Sequence, residues 1–384
     1  MNKKQRVGRR VKGTVVAGES YEAYLPHKLP PNPPINLVEI YPLLDQANAA
    51  LGRLDGMSLV LPDSSLFLYM YVRKEAVLSS QIEGTQSSLS DLLLFESEEL
   101  AGAPLDDVAE VSSYVAAMKY GLERVRELPL SLRLIKEIHL RLMSNTRGGH
   151  KQPGEFRRSQ NWIGGSRPGN ATFVPPPPEH LMECLDHFEK FIHDESQSLP
   201  VLVKASLIHV QFETIHPFLD GNGRLGRLLI TFILCAEGIL HQPLLYLSLY
   251  LKNHRAEYYQ HLQSVRDKGE WEEWIKFFLR GVIETAQQAT DTARAIIALF
   301  ERDRKKIETE NLSGGTLSVF AYLQKHPITP TNKIKAALQV SLPTVLRALR
   351  NLEEIGVVRE LTGKERNKVY FYKEYLDILN AGTM

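Results

Sequence analysis

Residues 216–227 read HPFLDGNGRLGR and gather a histidine, a carboxylate, a Gly-Asn-Gly run and two arginines into a dozen positions. Asp220 is a short, hard oxygen donor of the kind that holds Mg²⁺ through one or two carboxylates while phosphates supply the rest. Gly221, Asn222 and Gly223 let backbone approach closely. They open the helical run RLGRLLITFILCAEG, whose first N–H groups make an anion site. Arg224 and Arg227 lie three residues apart, share a face of that first turn and can hold further phosphate oxygens. His216 ends the preceding helical run LVKASLIHVQFETI and faces the same space, as a general base toward a hydroxyl would. These residue types point to a polyphosphate and a metal ion. The chain has no GxxxxGK(S/T) loop, no GxGxxG after a strand and no HExxH, so its phosphate site is built differently from the common nucleotide-binding folds.

Helical periodicity dominates the chain that must hold these groups in place. NLVEIYPLLDQANAALGRLDG carries apolar residues at helical spacing up to Gly56, and SLFLYMYVRKEAVLSSQIEG reads as a second helix stopping at Gly84. Further helices are expected near 87–100, 104–127, 130–144, 178–196, 199–214, 223–237, 252–265 and 270–309. Between them, QNWIGGSRPGNATFVPPPPEHL breaks helicity: two short β-prone runs flank a Gly/Pro/Asn turn, which predicts a hairpin. Residues 1–35 end in LPHKLPPNPP and read as an extended, poorly ordered arm.

A length of 384 residues predicts two or three domains. The chain is 43% hydrophobic and 24% charged with a formal net charge of +1, so no global basic excess argues for nucleic acid. The longest apolar stretch, LLITFILCAEGIL, is far short of a membrane span and is broken by Glu237. The basic start MNKKQRVGRRVKG has no apolar segment after it and does not read as a signal peptide. A cytoplasmic location with no membrane partner is therefore expected. Cys184 and Cys235 sit in apolar helical patterns as small core residues. His139, His187, His193 and His209 lie on helices without metal-ligand spacing to one another and read as structural.

The twelve-residue run matches the motif H-x-F-x-(D/E)-G-N-G-R-x-x-R at all eight specified positions, and on that ground the chain resembles the Fic-domain proteins. What the resemblance implies is transfer of AMP from ATP to a Ser, Thr or Tyr hydroxyl of a target protein. In that reading His216 deprotonates the hydroxyl that attacks the α-phosphate. Asp220 holds Mg²⁺ between the α- and β-phosphates, and Gly221, Asn222 and Gly223 cradle the anion. Arg224, Leu225, Gly226 and Arg227 complete the nucleotide-binding run, with both arginines on the departing diphosphate and Arg227 nearer the γ-phosphate. Positioning and charge neutralisation then lower the barrier. In the branch of the family that phosphorylates instead, lysine replaces the second glycine of the motif. That residue is Gly223 here, so AMP transfer is expected.

Three other stretches take on meaning beside this motif. SSQIEG at 79–84 resembles the family's inhibitory motif, (S/T)-x-x-x-E-(G/N), with Ser79, Glu83 and Gly84 in the named positions. The resemblance implies that Glu83 pairs with Arg227, occupies the arginine that the γ-phosphate needs and inhibits the enzyme in cis. In some relatives this glutamate also helps to remove AMP. The predicted hairpin falls where the family carries its flap, an edge that aligns the target's extended segment by strand addition. Ile163, Gly164 and Gly165 would lie nearest the nucleotide. NHRAEYYQHL resembles the helix that closes over adenine; Tyr258 or Tyr259 is the contact, and the sequence does not choose between them.

After LSGG the chain changes character. TLSVFAYLQKH, TNKIKAALQV and SLPTVLRALRNLEEIG read as three helices, and VVRELTGKERNKVYFY as two strands around a Thr-Gly-Lys turn, the order of a winged helix-turn-helix. Residues 315–384 hold ten Lys and Arg against six Asp and Glu. Ser341, Thr344, Arg347 and Arg350 are then candidates to face DNA, with Lys364, Arg366 and Lys368 on the wing. The other use of such a module is protein interaction or dimerisation. The expected organisation is an arm at 1–35, an N-terminal helical region at 36–110 carrying the inhibitory helix, a Fic catalytic core at 111–310 and a winged-helix domain at 315–384. The expected fold is mainly α: a helical Fic core with a β-hairpin flap, plus a small C-terminal winged helix-turn-helix domain. The expected function is a self-inhibited protein adenylyltransferase using ATP and Mg²⁺. The competing reading is a nucleotide-sensing, DNA-binding transcription regulator. The target protein, its acceptor residue type and the choice between monomer and homodimer stay open.

Overall fold

The computed structural model describes residues 3–14, 20–60, 64–97, 104–144, 146–194, 196, 199–312, 314–363 and 368–381. The fold is mainly helical, as the periodicity predicts. The N-terminal arm is a correction. Residues 3–6 form a short 3-10 turn, and β1 (Arg9–Thr14) pairs antiparallel with β2 (Ser20–Leu25), Val11 opposite Ala23. The alternation in SYEAYL buries Tyr21, Ala23, Tyr24 and Leu25. One of the basic residues that give this segment the look of a solvated tail is itself buried. Arg6 bonds Glu272 at 2.8 and 2.9 Å and donates to the carbonyls of Pro33 and Pro34. A buried, fully paired arginine anchors a segment rather than soliciting solvent.

Two helices follow. α1 (Tyr41–Val60) runs through Gly56 instead of stopping there, and α2 (Ser64–Ile82) ends just before Gly84, whose φ of +100° suits only glycine. α3 (Leu89–Glu96) opens on a capping box in which Ser88 and Asp91 bond each other's backbone. α4 (Leu105–Arg124), α5 (Leu132–Leu142) and α6 (Pro178–Ile192) complete the outer layer. Between α5 and α6, the predicted hairpin is reduced to a single antiparallel bridge, Ile163 with Phe173. Gly164 and Gly165, with φ of +68° and +70°, make the bend that prevents a longer ladder. β2 lies alongside this flap: the N–H of Tyr24 donates to the carbonyl of Val174 at 2.9 Å, and Tyr21, Ala23 and Val174 bury one another.

The centre is α7 (Val201–Ile215) packed against α8 (Asn222–Ala236). α7 is buried from Val203 to Ile215 on every face except at Lys204, as a helix in the middle of a domain must be. The helix expected at 252–265 begins earlier, as α9 (Ser248–Asn253), and continues as α10 (Arg255–Lys268) after a break at His254. α11 (Trp271–Thr309) is 39 residues long. Its first half packs on α1 and α7, and its last turns carry the C-terminal module. That module runs α12 (Gly314–Lys325), β3 (Ile328–Pro330), α13 (Thr331–Leu338), α14 (Leu342–Glu354), β4 (Val358–Glu360), β5 (Val369–Tyr372) and α15 (Lys373–Asn380). Its sheet is antiparallel in the order β3-β5-β4. The three helices and two strands stand in the expected order; β3, three residues ending in proline, and α15 have no comparable sequence signal. No helix among the described residues is long and apolar enough to cross a membrane.

Candidate active site

α7 ends at Ile215, and His216 turns the chain in the left-handed region, φ 49° and ψ 61°. Such a conformation costs about 1–3 kcal/mol for a residue with a side chain and persists only where the surroundings impose it. Here they do. The carbonyl of His216 accepts from Arg157 Nε at 2.9 Å and Asn161 Nδ2 at 3.3 Å, while the backbone N–H of Arg157 donates to the carbonyl of Pro217 at 2.9 Å. Asn222 clasps the next turn: its Oδ1 accepts from the N–H of Phe218 at 2.9 Å, and its Nδ2 donates to the same residue's carbonyl at 2.8 Å. That side chain therefore shapes the loop, and the anion-binding capacity is left to the backbone at the start of α8. His139 supports the loop from below. Its Nε2 donates to the carbonyl of Asp220 at 2.9 Å, its Nδ1 accepts from the N–H of Gly154 at 2.8 Å, and its ring stacks on Phe218. Burial holds its pKa down to about 4, so the neutral ring makes both bonds.

Each charge of the motif already has a partner. Arg227 is buried and bonds three acceptors: its Nε reaches the Ser79 hydroxyl at 2.8 Å, and its Nη2 reaches the Ser79 carbonyl at 2.9 Å and Glu83 Oε1 at 2.7 Å. The same carboxylate lies over Gly223, where a Cβ would stand 2.3 Å from Glu83 Oε1. Glu83 thus sits on the N-terminus of α8, in the place where an anion would bind. Desolvation pushes its pKa up, but Arg227, with Arg224 and His216 behind, outweighs that and the net direction is down. Arg224 meets Glu110 at 3.3 Å, and Glu110 is held on its other oxygen by Arg147 at 3.1 Å. Asp220 accepts from the N–H of Gly221 through Oδ1 at 2.7 Å and pairs with Lys151 through Oδ2 at 2.9 Å. Burial, then the cations Arg266 and Arg157, lower the pKa of His216 to about 4, so its imidazole is neutral at pH 7 and able to take a proton. Its Nδ1 has no hydrogen-bond partner among the described residues.

Other expected site residues separate into two groups. Leu225 is fully buried, and Gly226 faces α7, where a Cβ would lie 2.5 Å from Glu213 Oε1 while its carbonyl bonds His209 at 3.0 Å. Both positions face the packed interior, so what they could offer a nucleotide is backbone rather than side chain. Tyr258 is buried with its hydroxyl on His209 at 2.9 Å, whereas Tyr259 is 42% exposed, so only the second is free to meet a ligand. Ile163 is half-buried with Gly164 and Gly165 exposed, and the flap base reaches the catalytic loop through Asn161, whose Nδ2 bonds the carbonyl of Phe218 at 3.0 Å. In the C-terminal module, Thr344, Arg347 and Arg350 are exposed along α14. Ser341 caps that helix, accepting from the N–H of Thr344, and Lys368 pairs with Glu360 at 2.7 Å. Lys364 and Arg366 lie outside the described residues. Arg157, Asn161, Glu110 and Lys151 escape sequence reasoning, because nothing local marks a residue whose partner is tens of positions away.

Among the described residues no cluster of three or more His, Cys, Asp or Glu could hold a metal by itself. Asp220 alone still fits Mg²⁺, which takes one carboxylate and completes its shell with phosphate oxygens and water. An ammonium already standing on Oδ2 shows that this oxygen is placed to receive a cation.

Residues 41–123 match the family described as Fic/DOC family N-terminal, and residues 129–234 match the Fic/DOC family. The protein adenylyltransferase Fic of Drosophila grimshawi is 31% identical over 291 residues, 74% of this chain and 52% of that protein. Its counterpart in Aedes aegypti is 32% identical over 257 residues, 65% of this chain and 46% of that one. The chain therefore spans about half the length of these relatives. A Fic family protein from Desulfovibrio desulfuricans G20 shares the fold with a TM-score of 0.55 and 18% identity, over 86% of this chain and 96% of that one. A fragment of Fic-1 from C. elegans shares it with a TM-score of 0.51 and 23% identity, over 68% of this chain and 75% of that one.

Proposed function

We propose, from the matches of residues 41–123 to the Fic/DOC family N-terminal region and of residues 129–234 to the Fic/DOC family, that the chain is a self-inhibited protein adenylyltransferase. The reading transfers AMP from ATP to a hydroxyl of a target protein. The observation that carries it is the carboxylate of Glu83, which bonds Arg227 and covers Gly223, in the place of an anion on the N-terminus of α8. A nucleotide triphosphate can extend along α8 only when that carboxylate has moved.

With Glu83 displaced, the neutral imidazole of His216 takes the proton of the target hydroxyl, whose oxygen attacks the α-phosphorus while the bond to the β-phosphate oxygen breaks. The diphosphate leaves toward Arg224 and Arg227, and the N–H groups opening α8 hold the oxyanion charge. Asp220 would hold a divalent ion, which would withdraw charge from the phosphates when bound. Tyr259 supplies the exposed ring at the adenine end, and Ile163 with its two glycines supplies an edge for the target's backbone. In domain terms, 36–110 carries the inhibitory helix, 111–310 the catalytic core and 315–384 a winged helix-turn-helix appended through α11. The competing regulator reading rests on that last module, through Thr344, Arg347 and Arg350, and finds no support in the relatives. Salt-dependent DNA binding that disappears on neutralising both arginines would be needed to raise it.

The test uses ATP labelled at the α- or the γ-phosphate with wild type, Glu83→Gly and His216→Ala, reading label on the protein and on a cell lysate. Strong α-label with Glu83→Gly, weak with wild type and none with His216→Ala is the expected pattern. Label from the γ-phosphate alone would replace AMP transfer by phosphoryl transfer.

A further inference from the structure

We infer that Lys151 is a built-in counter-cation, which competes with the divalent ion for the carboxylate of Asp220 and lets nucleotide bind without metal. The inference rests on the adenylyltransferase reading of the same site and extends it to the site's ionic requirement.

The pair Lys151 Nζ–Asp220 Oδ2, at 2.9 Å, joins two loops that are locked to each other independently of it. His139 makes that lock, accepting from Gly154 on the loop of Lys151 and donating to the carbonyl of Asp220 on the other. Gly148 presses the first loop flat against the carboxylate: a Cβ there would lie 2.6 Å from Asp220 Oδ2. The N–H of Lys151 is itself tied back to the carbonyl of Gly148. So the lysine does not sample the carboxylate by chance from a free surface; its backbone is held in place for the contact. Both side chains keep access to solvent, 43% and 34% exposed, so the pair can open when a stronger cation arrives. The remaining oxygen, Oδ1, accepts from the N–H of Gly221 and lies 3.9 Å from Arg224, which is itself nearer Glu110, so Oδ2 is the position that Lys151 and a metal contest.

Charge decides the consequence. Without metal and without Lys151, a triphosphate approaching Asp220 meets a like charge that Arg224, shared with Glu110, offsets only in part. Lys151 cancels that charge. A divalent ion displaces the lysine, whose four-carbon stem lets the ammonium swing to solvent or to a phosphate oxygen. Lysine therefore reduces the thermodynamic coupling between metal and nucleotide, which a neutral residue would leave large.

The experiment measures binding of α,β-methylene-ATP, which cannot lose AMP, to the full chain by calorimetry in Mg²⁺ and in EDTA. The quantity read is the ratio of the two Kd values in a Glu83→Gly background, which clears the start of α8, for that parent and with Lys151→Met, Asp220→Asn or both added. Lys151→Met is expected to raise the ratio about five- to tenfold, mainly by weakening binding in EDTA. Asp220→Asn should bring the ratio toward one, and adding Lys151→Met to it should change nothing further. An unchanged ratio in Lys151→Met overturns the inference. So does an equal effect in the Asp220→Asn background, which would make the lysine a general attractor of phosphate. Failure of every variant to bind in either condition, with Glu83→Gly failing as well, would instead overturn the adenylyltransferase reading beneath it.

Discussion

At the scale of single residues, His216 combines a left-handed backbone with a half-buried ring, and each property has a measurable consequence. Burial, Arg266 and Arg157 depress its pKa to about 4, so the basic form is complete at neutral pH and is lost only as pH falls through that value. In Glu83→Gly, kcat/KM should stay flat from pH 8 to about 5, and its acid limb should lie near 4. Removing Glu83 takes away a neighbour that raises the histidine's pKa, so the lost charge by itself moves the limb down. A limb near the ordinary histidine value, about 6.5, would show that the ring is solvated in the working enzyme. Arg157 adds a second expectation. It fixes the His216 carbonyl and is also one of the cations that depress the ring. Arg157→Ala should lower kcat by about 10- to 100-fold with little change in KM for ATP, and should shift the acid limb upward. A purely structural residue would not move the limb. The chemistry of 216–227 is legible in the sequence because its residues are contiguous. Arg157 is not, because its partner lies 59 positions away.

At the scale of elements, α2 has to hold Ser79 and Glu83 over α8, and a buried carboxylate anchors it. Glu75 accepts from the hydroxyl and the N–H of Ser248 on α9 and from the hydroxyl of Tyr114 on α4. Burial pushes its pKa up to about 7, against the hydrogen bonds and Arg227, which pull it down. A carboxyl with a raised folded pKa binds its proton more tightly in the native state. Its contribution is therefore full at low pH and declines as pH rises from about 4.5 to 7. The Tm of wild type should fall over that window relative to Glu75→Gln, which keeps the shape and cannot ionise. Parallel curves would mean that Glu75 is charged throughout. Helices such as α2 are readable because a 3.6-residue period survives at their buried faces. The β1–β2 hairpin is not, since basic residues dominate the outer face of β1 and the buried face of β2 is covered only by the distant flap. The flap itself reads as a hairpin because glycine, proline and asparagine mark its turn, but two consecutive left-handed glycines leave room for one bridge.

At the scale of the whole molecule, α11 is the helix that joins the bundle around α7 to the C-terminal module, and Asp303 is its buried contact to that module. Its carboxylate is buried. It accepts from the Tyr372 hydroxyl at 2.8 Å, from Arg302 Nε at 2.9 Å and from Lys306 at 3.0 Å. Desolvation alone would raise its pKa, but these donors lower it, so the stabilisation is present at neutral pH and lost only in strong acid. The residue that follows α15 returns to α2: Lys74 donates to the carbonyl of Ala381 at 3.0 Å. Burial of that lysine lowers its pKa to about 8, so it needs the acceptor to remain charged at low cost. Asp303→Ala leaves the Tyr372 hydroxyl without its acceptor in an apolar setting and should cost about 1–3 kcal/mol. Because the lost contact lies between the two modules, the loss should appear as faster amide exchange across 314–381 and along α2 near Lys74, with α7 and α8 unchanged. Exchange that rises evenly over the whole chain would show one cooperative unit. Exchange confined to the C-terminal module would show that α15 and α2 are neighbours without being coupled.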